Sequence, residues 1–445
     1  MEAFLFWSTM SKQNLLEHLL KSTGASIDTR TIQPGQIFFA LPGTKTDGAR
    51  FAEEALEKGA SMVVVLRNSE IPGDIPPEAK WQVDDVLATM QQLARDYRRH
   101  LSIPVLAITG SNGKTTNKNL LATALKTKFR VHLTPGNFNN NIGLPLTILN
   151  TPSNTDFILL EMGTNHFGEI KDLCRIAEPD YGSILNIGKA HLEFFHSVKG
   201  VLKAKSELAD FLFENNSLLF LNEEEGSLQP LHAHPVKCIT FDRNHLPGTD
   251  YRIEIERSVP DIVLGLRSTT GDGAFTLNSN LWGKHNIQNL LHTIAIGSYF
   301  GLRMKDMVEV LSQYIPQDNR SQILSWENHT VYLDAYNANP SSMIHAIRNF
   351  RAAHPTSAIL VLGDMGEMGD LALKEHLSIL KLVDQLGFEN VYLVGQDFKR
   401  AGESDYVHFK YYDDVAQLQN EEWSGQAPIL IKGSRFMSLD RLVDL

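Results

Sequence analysis

The spacing of apolar residues divides the chain into three blocks. The first block contains an apolar face at helical spacing, then two short apolar runs on either side of a helical stretch. These features are Leu15, Leu16, Leu19 and Leu20 for the face, residues 36–41 and 61–66 for the runs, and residues 51–58 for the helix. A loop with three prolines follows at residues 70–80. This block predicts a small α/β domain over residues 1–82.

The second block, residues 83–314, opens with a helix that Asp84 or Asp85 is suited to cap. Strands and helices then alternate, which predicts a mostly parallel sheet with helices on both faces. The alternating segments are residues 104–109, the helix from Lys114, residues 129–134 and 157–162, the helix near Ile170, and residues 182–187 and 198–213. Residues 251–282 change to short alternating strands with glycine-containing turns, which predicts an antiparallel insert before a closing helix at residues 285–299.

The third block, residues 315–445, alternates again. Predicted strands lie at residues 331–335, 358–362, 391–394 and 429–431, with helices at residues 341–354 and 371–386. This order predicts a Rossmann-like, doubly wound domain, although the G-x-G-x-x-G dinucleotide fingerprint is missing. The predicted fold class is therefore α/β with three domains: a small α/β domain, a central P-loop ATPase-type domain and a C-terminal Rossmann-like domain.

Composition narrows the functional classes. The 445 residues include 41 Lys and Arg against 52 Asp and Glu, a net charge of −11, and no basic run, so we expect no nucleic-acid partner. The two cysteines fit a reducing compartment, and we expect a cytoplasmic monomer. No apolar run approaches the roughly 18 residues that span a bilayer, so we expect no stable membrane insertion. The apolar run Ala3–Trp7 is short, and Met10 is an alternative start.

A glycine-rich loop follows the first strand of the central block. Its sequence is T-G-S-N-G-K-T-T, comprising Thr109, Gly110, Ser111, Asn112, Gly113, Lys114, Thr115 and Thr116. Backbone amides of such a loop and the helix N-terminus that follows it bind phosphate, the lysine reaches the β- and γ-phosphates, and the hydroxyl next to it ligates Mg²⁺. The strict P-loop pattern requires glycine where Ile108 stands, and the alternative is an ordinary glycine turn. The order strand, loop, helix favours the phosphate site.

Two neighbouring strand ends offer metal ligands. Glu161 ends the apolar strand at residues 157–160, where a carboxylate points into the ligand crevice of a parallel sheet. It could hold Mg²⁺, or it could be a solvated strand end. His191 and Glu193 follow the strand at residues 182–187, and for His191 a structural role and a ligand role are about equally weighted.

Lys205 lies on the apolar stripe of the helix at residues 198–213. It is four residues after Val201 and three before Leu208, whereas Lys199 and Lys203 lie on the other face. An inward-facing lysine pairs with an acid, extends its amine to solvent or is chemically altered. On the residues alone, pairing or extension to solvent is favoured.

Motifs in all three blocks resemble the Mur ligases, ATP-dependent enzymes that extend the peptidoglycan stem peptide. I-D-T-R at Ile27–Arg30 is similar to the family's uridine-nucleotide-binding segment, which implies a substrate role for Thr29 and Arg30. G-N-F-N-N-N-I-G at Gly136–Gly143 resembles the muramoyl-peptide segment, which implies substrate contacts for Asn137, Asn139 and Asn140. The segments around Glu161 and His191 resemble the two Mg²⁺ motifs, and A-K-S-E-L at Ala204–Leu208 the site of a carbamylated lysine.

The resemblance continues in the nucleotide and amine segments. G-K-H-N-I-Q-N at Gly283–Asn289 is similar to the adenine-binding segment, which implies ATP contacts for Asn286 and Asn289. Arg320 matches the arginine that meets the ATP phosphates. Three further motifs resemble the ATP and amino-substrate elements of the family's C-terminal domain: D-A-Y-N-A-N-P at Asp334–Pro340, G-D-M-G-E-M-G at Gly363–Gly369 and K-G-S-R at Lys432–Arg435. They imply roles for Asp334 at ATP and for Asn337, Asn339 and Lys432 at the amino substrate.

The resemblance implies a ligase that joins D-alanyl-D-alanine to UDP-N-acetylmuramoyl-tripeptide through an acyl phosphate. It implies ATP and two Mg²⁺ ions as cofactors, Thr115, Glu161, His191 and a carbamylated Lys205 as metal ligands, and Lys114, His191 and Lys205 as catalytic residues. Alternatives are the ligase that adds the third stem-peptide residue, a folate polyglutamate ligase, which lacks a uridine-binding first domain, and a P-loop regulatory ATPase without ligase activity.

Overall fold

The computed structural model describes residues 15–43, 46–271, 273–423 and 425–443, so Ala3–Trp7 and Met10 lie outside the described residues. The first domain is a four-stranded parallel sheet in the order β1-β2-β3-β4. Its elements are the helical residues 15–21 (α1), β1 Ala25–Ser26, β2 Ile37–Phe39, α2 Ala52–Glu57, β3 Met62–Leu66 and β4 Lys80–Val83. The apolar pattern missed β4 because this edge strand is only half-buried.

A long helix, α3 (Val86–Leu101), joins the first domain to the second, and Asp85 rather than Asp84 caps it by accepting the Ala88 amide at 2.8 Å. The central sheet has six parallel strands in the order β10-β9-β8-β5-β7-β6. The strands are β5 Val105–Thr109, β6 Val131–Leu133, β7 Phe157–Glu161, β8 Tyr181–Ile184, β9 Leu218–Asn222 and β10 Lys237–Phe241. The helices are α4 Lys114–Leu125, α5 Gly143–Leu149, α6 Glu169–Ala177, α7 Leu192–Phe195 and α8 Val198–Glu214.

The predicted antiparallel insert is confirmed. Strands β11 (Tyr251–Arg257), β12 (Asp261–Ser268) and β13 (Ala274–Trp282) pair antiparallel in sequence order. Two helices follow, α9 (His285–Tyr299) and α10 (Met304–Gln313). Helix α9 packs on α4, because its apolar residues share one buried cluster with those of α4. The helix that follows the insert therefore packs against α4, the helix that follows the phosphate loop.

The third domain is a six-stranded sheet in the order β14-β15-β19-β16-β17-β18, in which β14 alone among the described strands runs antiparallel. The strands are β14 Gln322–Trp326, β15 His329–Asp334, β16 Ile359–Gly363, β17 Asn390–Val394, β18 Lys410–Tyr412 and β19 Ile429–Lys432. The helices are α11 Pro340–Ala353, α12 Ala372–Gln385, α13 Gln396–Gly402 and α14 Val415–Leu418. The α/β fold class is confirmed, and the domain boundaries after residues 82 and 314 stay predictions.

The strand predicted at residues 182–187 is shorter than expected. Strand β8 ends at Ile184, and the chain then turns towards the phosphate loop, where the Asn186 carbonyl accepts the Ser111 amide at 3.1 Å. The apolar residues Leu185 and Ile187 continue the pattern although they are no longer in the sheet. Across the described ranges, no helix is long and apolar enough to cross a membrane.

Candidate active site

A cleft of about 590 Å³ opens between the central and C-terminal domains. It lies at the carboxyl ends of β5, β7 and β15, where ligands bind in parallel sheets. Most of the predicted site residues line it: Ser111, Asn112, Gly113, Lys114, Thr115, Thr116, Asn137, Asn139, Asn140, Glu161, His191, Asn286, Asn289, Arg320, Asp334, Asn337, Asn339 and Lys432. Sequence motifs from two domains thus meet in one cleft.

The phosphate loop joins β5 directly to α4. Gly113 has a φ of 80°, a left-handed conformation that favours glycine. The Asn112 amide donates to the Asn186 side chain at 2.9 Å, so the loop is braced by the neighbouring strand end. Lys114 turns back on its own loop and donates to the Gly110 carbonyl at 2.7 Å. Burial lowers the pKa of Lys114.

Thr115, Glu161 and Asn139 form a connected group at the inner end of the cleft. The Thr115 hydroxyl donates to Glu161 Oε2 at 2.9 Å, and Asn139 Nδ2 donates to Oε1 at 2.7 Å. Glu161 is 2% exposed. Asn139 belongs to a loop, residues 134–141, that we call the acceptor loop. A residue predicted for substrate and one predicted for metal are therefore in direct contact.

The donor set at Glu161 fits Mg²⁺, because a buried carboxylate and a hydroxyl are hard oxygen ligands. The described part of the chain contains no group of three or more His, Cys, Asp or Glu side chains that could hold a metal ion. Mg²⁺ in protein sites commonly keeps substrate phosphates and water as its other ligands. Thr115 and Glu161 are suited to that arrangement.

Lys205 is completely buried on α8, and its Nζ has no hydrogen-bond partner among the described residues. Pairing with an acid or extension to solvent, favoured on the residues alone, is not what the structure has, because the apolar stripe encloses the amine. Burial, and then the positive charge of Lys114, lower the pKa of Lys205 well below its usual value. Lys205 does not line the cleft.

His191 and Glu367 meet across the two domains. His191 Nδ1 lies 2.6 Å from Glu367 Oε2, and the contact with His191 is the main reason why the pKa of Glu367 is lowered. His191 has a φ of 52°, a left-handed conformation that directs the chain from the strand end into α7. Sequence reasoning missed Glu367, although it lies in the G-D-M-G-E-M-G motif.

The predicted adenine segment lies at the start of α9. Asn289 Nδ2 donates to Asn286 Oδ1 at 2.8 Å, and the Asn289 carbonyl accepts from Asn117 on α4 at 3.1 Å. His285 lines the cleft beside them, and burial lowers its pKa to about 4. The imidazole is therefore neutral near pH 7, so it can accept as well as donate a hydrogen bond.

The C-terminal domain contributes two cations. The guanidinium carbon of Arg320 lies 3.5 Å from the ring centre of Tyr336, a cation–π contact that restrains the orientation of the guanidinium group. Lys432 Nζ is 2.5 Å from Asp334 Oδ2. Burial raises the pKa of Asp334, but the charge of Lys432 outweighs it, and the net pKa is lowered.

Direct contacts hold the two domains together around the cleft. Asn339 caps α11 and donates to Asn112 of the phosphate loop at 2.8 Å. Lys189 Nζ lies 2.7 Å from Glu375 Oε1 across the same interface. The C-terminal domain therefore rests on the phosphate loop.

Some predicted residues lie elsewhere. Thr109 and Gly110, the first two residues of the phosphate loop, do not line the cleft. Thr29 and Arg30 lie in the first domain, where Thr29 is buried and the exposed Arg30 side chain pairs with Asp28 at 2.5 Å. The structure therefore does not place the first-domain motif at the nucleotide cleft.

Sequence reasoning also missed several side chains that face the cleft. They are Asn165, Glu169, Asp172, Tyr336 and His345. Tyr336 lies inside a motif that was recognised, so attention to every position of that motif could have found it. Asn165 and Glu169 lie inside the Mg²⁺ motif at Glu161–Ile170, where the same attention could have found them. Asp172 and His345 lie on α6 and α11, and helical periodicity does not say which face of these helices meets a second domain.

Family models match most of the chain. The Mur ligase family catalytic domain matches residues 21–98, the Mur ligase middle domain residues 108–297, and the Mur ligase glutamate ligase domain residues 319–435. These three matches follow the same order as the three domains.

Named relatives agree with the family models. The UDP-N-acetylmuramoyl-tripeptide–D-alanyl-D-alanine ligase of Bacillus subtilis is 36% identical over 432 residues, with 94% of this chain and 92% of the relative covered. The enzyme of the same name from Escherichia coli is 29% identical, with 94% and 92% covered.

Solved structures share the architecture. MurF from Acinetobacter baumannii superposes with a TM-score of 0.81 at 26% identity, with 96% of this chain and 97% of the other covered. MurF ligase from Thermotoga maritima, in complex with ADP, has a TM-score of 0.78 at 25% identity, with 95% and 96% covered. The phosphate loop, the carboxylate beside it and the matched length of chain together place this protein in the Mur ligase family.

Proposed function

We propose that this protein is the ATP-dependent ligase that joins D-alanyl-D-alanine to UDP-N-acetylmuramoyl-tripeptide, releasing ADP and phosphate. The observation that carries the proposal is the Thr115–Glu161–Asn139 group, in which the phosphate loop and the acceptor loop meet at one carboxylate. The choice of substrates rests on the names of the relatives, which cover almost the whole chain.

ATP binds in the cleft with its phosphates at the loop that Gly113 and Lys114 form. The amides of this loop and the N-terminus of α4 supply donors and a favourable dipole. Lys114 leaves the Gly110 carbonyl, 2.7 Å away, to reach the phosphates. Asn286 and Asn289 hold the adenine end, and Arg320, stacked on Tyr336, approaches the phosphates from the other domain.

The substrate carboxylate attacks the γ-phosphorus of ATP, although both partners are anionic, and the bond to the β-phosphate oxygen breaks to release ADP. Lys114, Arg320 and the loop amides offset that repulsion and stabilise the charge that develops. Thr115 and Glu161, with His191 and Lys205, would hold the two Mg²⁺ ions, which when bound add positive charge at the phosphates. Asn137, Asn139 and Asn140 orient the muramoyl-peptide.

The product of this attack is an acyl phosphate, which water destroys. Contacts such as Asn339 to Asn112 keep the C-terminal domain over the cleft and exclude water. The neutral amine of D-alanyl-D-alanine, held by Asn337 and Lys432, then attacks the acyl carbon, and phosphate leaves.

The proton of the amine has two candidate acceptors, His191 and Asp334. Asp334 is already bound by Lys432, and its lowered pKa makes it a weak base. His191 Nδ1 lies 2.6 Å from Glu367 Oε2, so Nε2 is the nitrogen left for the proton, which it can accept only while it is not a ligand of Mg²⁺. These contacts favour His191 as the acceptor.

We also propose that Lys205 is carbamylated. Burial lowers the pKa of Lys205 and so favours the neutral amine, which can attack CO₂, forming an N–C bond and releasing one proton to leave an anionic carbamate. That anion is an oxygen ligand for Mg²⁺, and it removes the problem of an enclosed cation without an acceptor. Lys205 would then be a metal ligand rather than a counter-ion.

The remaining assignments follow from this function. Thr29 and Arg30 would bind the uridine nucleotide in a domain of residues 1–82, the central domain of residues 83–314 would bind ATP, and residues 315–445 would bind ATP and the amine. We also propose that the protein acts in the cytoplasm, where ATP and a UDP-linked precursor are available, and that it acts as a monomer.

The test is phosphate release by the full chain with ATP, Mg²⁺ and UDP-N-acetylmuramoyl-tripeptide, with and without D-alanyl-D-alanine. The proposal expects release that depends on both substrates and a product heavier by one dipeptide residue. Release that needs neither peptide would identify a P-loop ATPase instead. Product formation with a single amino acid and UDP-muramoyl-dipeptide would identify the ligase for the third stem residue.

A further inference from the structure

Lys118 is a buried cation for which the proposed mechanism has no use. It lies on α4, four residues after Lys114, and is 1% exposed. Its Nζ donates to the Thr134 carbonyl at 2.6 Å and to the Gly136 carbonyl at 3.2 Å, and it lies 3.8 Å from Glu161 Oε2. Every one of these oxygens belongs to the acceptor loop or to the predicted metal ligand.

The two carbonyls belong to the first three residues of the acceptor loop. Strand β6 ends at Leu133, and the predicted substrate residues begin at Asn137. A buried ammonium without acceptors is costly, so a geometry that satisfies it on two carbonyls is strongly preferred over others. Lys118 therefore ties the base of the acceptor loop to α4.

A second link joins the same two parts of the molecule. Asn139, near the tip of the acceptor loop, donates to Glu161, which in turn accepts from Thr115 on α4. Thr115 and Lys118 are three residues apart, so they lie on one face of the helix. The acceptor loop is thus held to α4 at its base by Lys118 and near its tip through Glu161.

We propose that Lys118 is a positioning residue that holds the acceptor loop at a fixed distance from the phosphate loop. This inference rests on the proposed function, because that distance is the one between the substrate carboxylate and the γ-phosphorus of ATP. Lys118 does not touch either reacting group. It acts on the rate by placing the residues that do.

The experiment compares Lys118→Met with Lys126→Met, a substitution of the exposed lysine that directly follows the end of the same helix. Misplacing a reacting group by about 1 Å can reduce the rate by on the order of 10²-fold. We expect kcat of Lys118→Met to fall about 10- to 100-fold while KM for ATP changes less than about threefold. Lys126→Met should match the wild type in both.

Hydrogen exchange gives a readout that does not depend on turnover. In Lys118→Met, the amides of residues 136–140 should exchange faster, while the amides of α4 keep their protection. A double-mutant cycle with Asn139→Ala should show that the two losses are not additive, because both substitutions release the same loop.

Lys118→Arg keeps the positive charge and serves as the second variant if the methionine variant does not fold. A fall in kcat without a rise in KM for ATP is expected there too. Unchanged kcat in the variant that folds, or a loss explained entirely by weaker ATP binding, overturns the proposal. A wild type that makes no product refutes the proposed function instead, and the exchange measurement still decides whether Lys118 holds the loop.

Discussion

Helices α4 and α8 each bury a lysine, and the two lysines differ in the hydrogen-bond acceptors around their amines. Lys118 on α4 has two backbone carbonyls within 3.2 Å and a carboxylate at 3.8 Å. Lys205 on α8 is 0% exposed and has no partner for its Nζ in the described residues. The first is a cation that the protein itself satisfies. The second is an amine to which the described residues offer no hydrogen-bond acceptor.

The surroundings of the helices explain the difference. Helix α4 begins at the phosphate loop and passes the end of β6, where carbonyls leave the sheet and are available as acceptors. Helix α8 presents Val201, Leu208 and Leu212 to the same core as Lys205. A charged amine there would carry a desolvation cost of several kcal/mol. Acceptors surround Lys118 and make it a structural link, whereas Lys205 has none among the described residues, which is the basis of the proposed carbamate.

The largest expected effect is at Lys205. Lys205→Ala should lower the rate by on the order of 10³-fold, because the proposed carbamate ligand is lost from the metal site. Formate or acetate at high concentration should restore part of the activity by filling the vacated ligand position. Lys203→Ala, on the exposed face of α8, is the control and should leave the rate unchanged. Turnover assays measure the loss in Lys205→Ala, its rescue by formate or acetate, and the Lys203→Ala control. High-resolution density showing a bare ammonium at Lys205 with Mg²⁺ and nucleotide bound would contradict the proposed carbamate.

Lys114 gives the next largest effect. Its amine rests on the Gly110 carbonyl and is proposed to move to the ATP phosphates. Lys114→Ala should lower the rate by roughly 10²–10³-fold, because one preorganised cation at the transferring phosphoryl group is missing. The far-ultraviolet circular dichroism spectrum should not change. Near-normal turnover would show that the phosphate loop has been wrongly assigned.

Stability measurements compare the two buried lysines directly. In nucleotide-free protein, Lys118→Met should lower the free energy of unfolding by about 1–3 kcal/mol, because two carbonyls lose their donor and Glu161 loses a nearby positive charge. Lys205→Met should be neutral or raise it by about 1–3 kcal/mol, because an apolar side chain of similar length replaces an unpaired amine. Urea unfolding of both variants measures the two changes. Equal losses in both would mean that Lys205 has a partner after all.

The smallest effect lies outside both helices. Arg30 is exposed in the first domain, away from the nucleotide cleft. Arg30→Ala should raise KM for the UDP-linked substrate by roughly tenfold or less and leave KM for ATP nearly unchanged, the pattern of lost uniform binding. Steady-state kinetics with each substrate varied in turn distinguish the two constants. A change confined to ATP would contradict the uridine assignment.

Local sequence was a good guide to the elements of the site. The order strand, glycine loop, helix predicted the position of Lys114, and the strand end predicted that Glu161 faces the ligand crevice. The apolar stripe predicted that Lys205 points inward. Each of these follows from contacts within a few residues along the chain, which periodicity reports directly.

Partners between distant segments could not be predicted in this way. The apolar stripe on α8 does not indicate whether an acidic side chain pairs with Lys205. In the structure, no described residue forms a hydrogen bond with its Nζ. The role of Lys118 could not be predicted because its acceptors are backbone carbonyls. Every residue has a backbone carbonyl, so the side-chain pattern does not identify these two. Glu367 escaped because its partner His191 belongs to another domain.

The sequence by itself determined the three-domain α/β order, the phosphate loop and the family resemblance, because hydrophobic periodicity and short motifs are local properties. Only the tertiary structure decided which charges meet. Thr115 and Glu161 are 46 residues apart in sequence, and Asp334 and Lys432 are 98 apart, yet each pair is in hydrogen-bond contact. The physical reason is that a charge is satisfied by whatever the fold brings within about 3–4 Å, and in a folded chain that distance bears no relation to sequence separation.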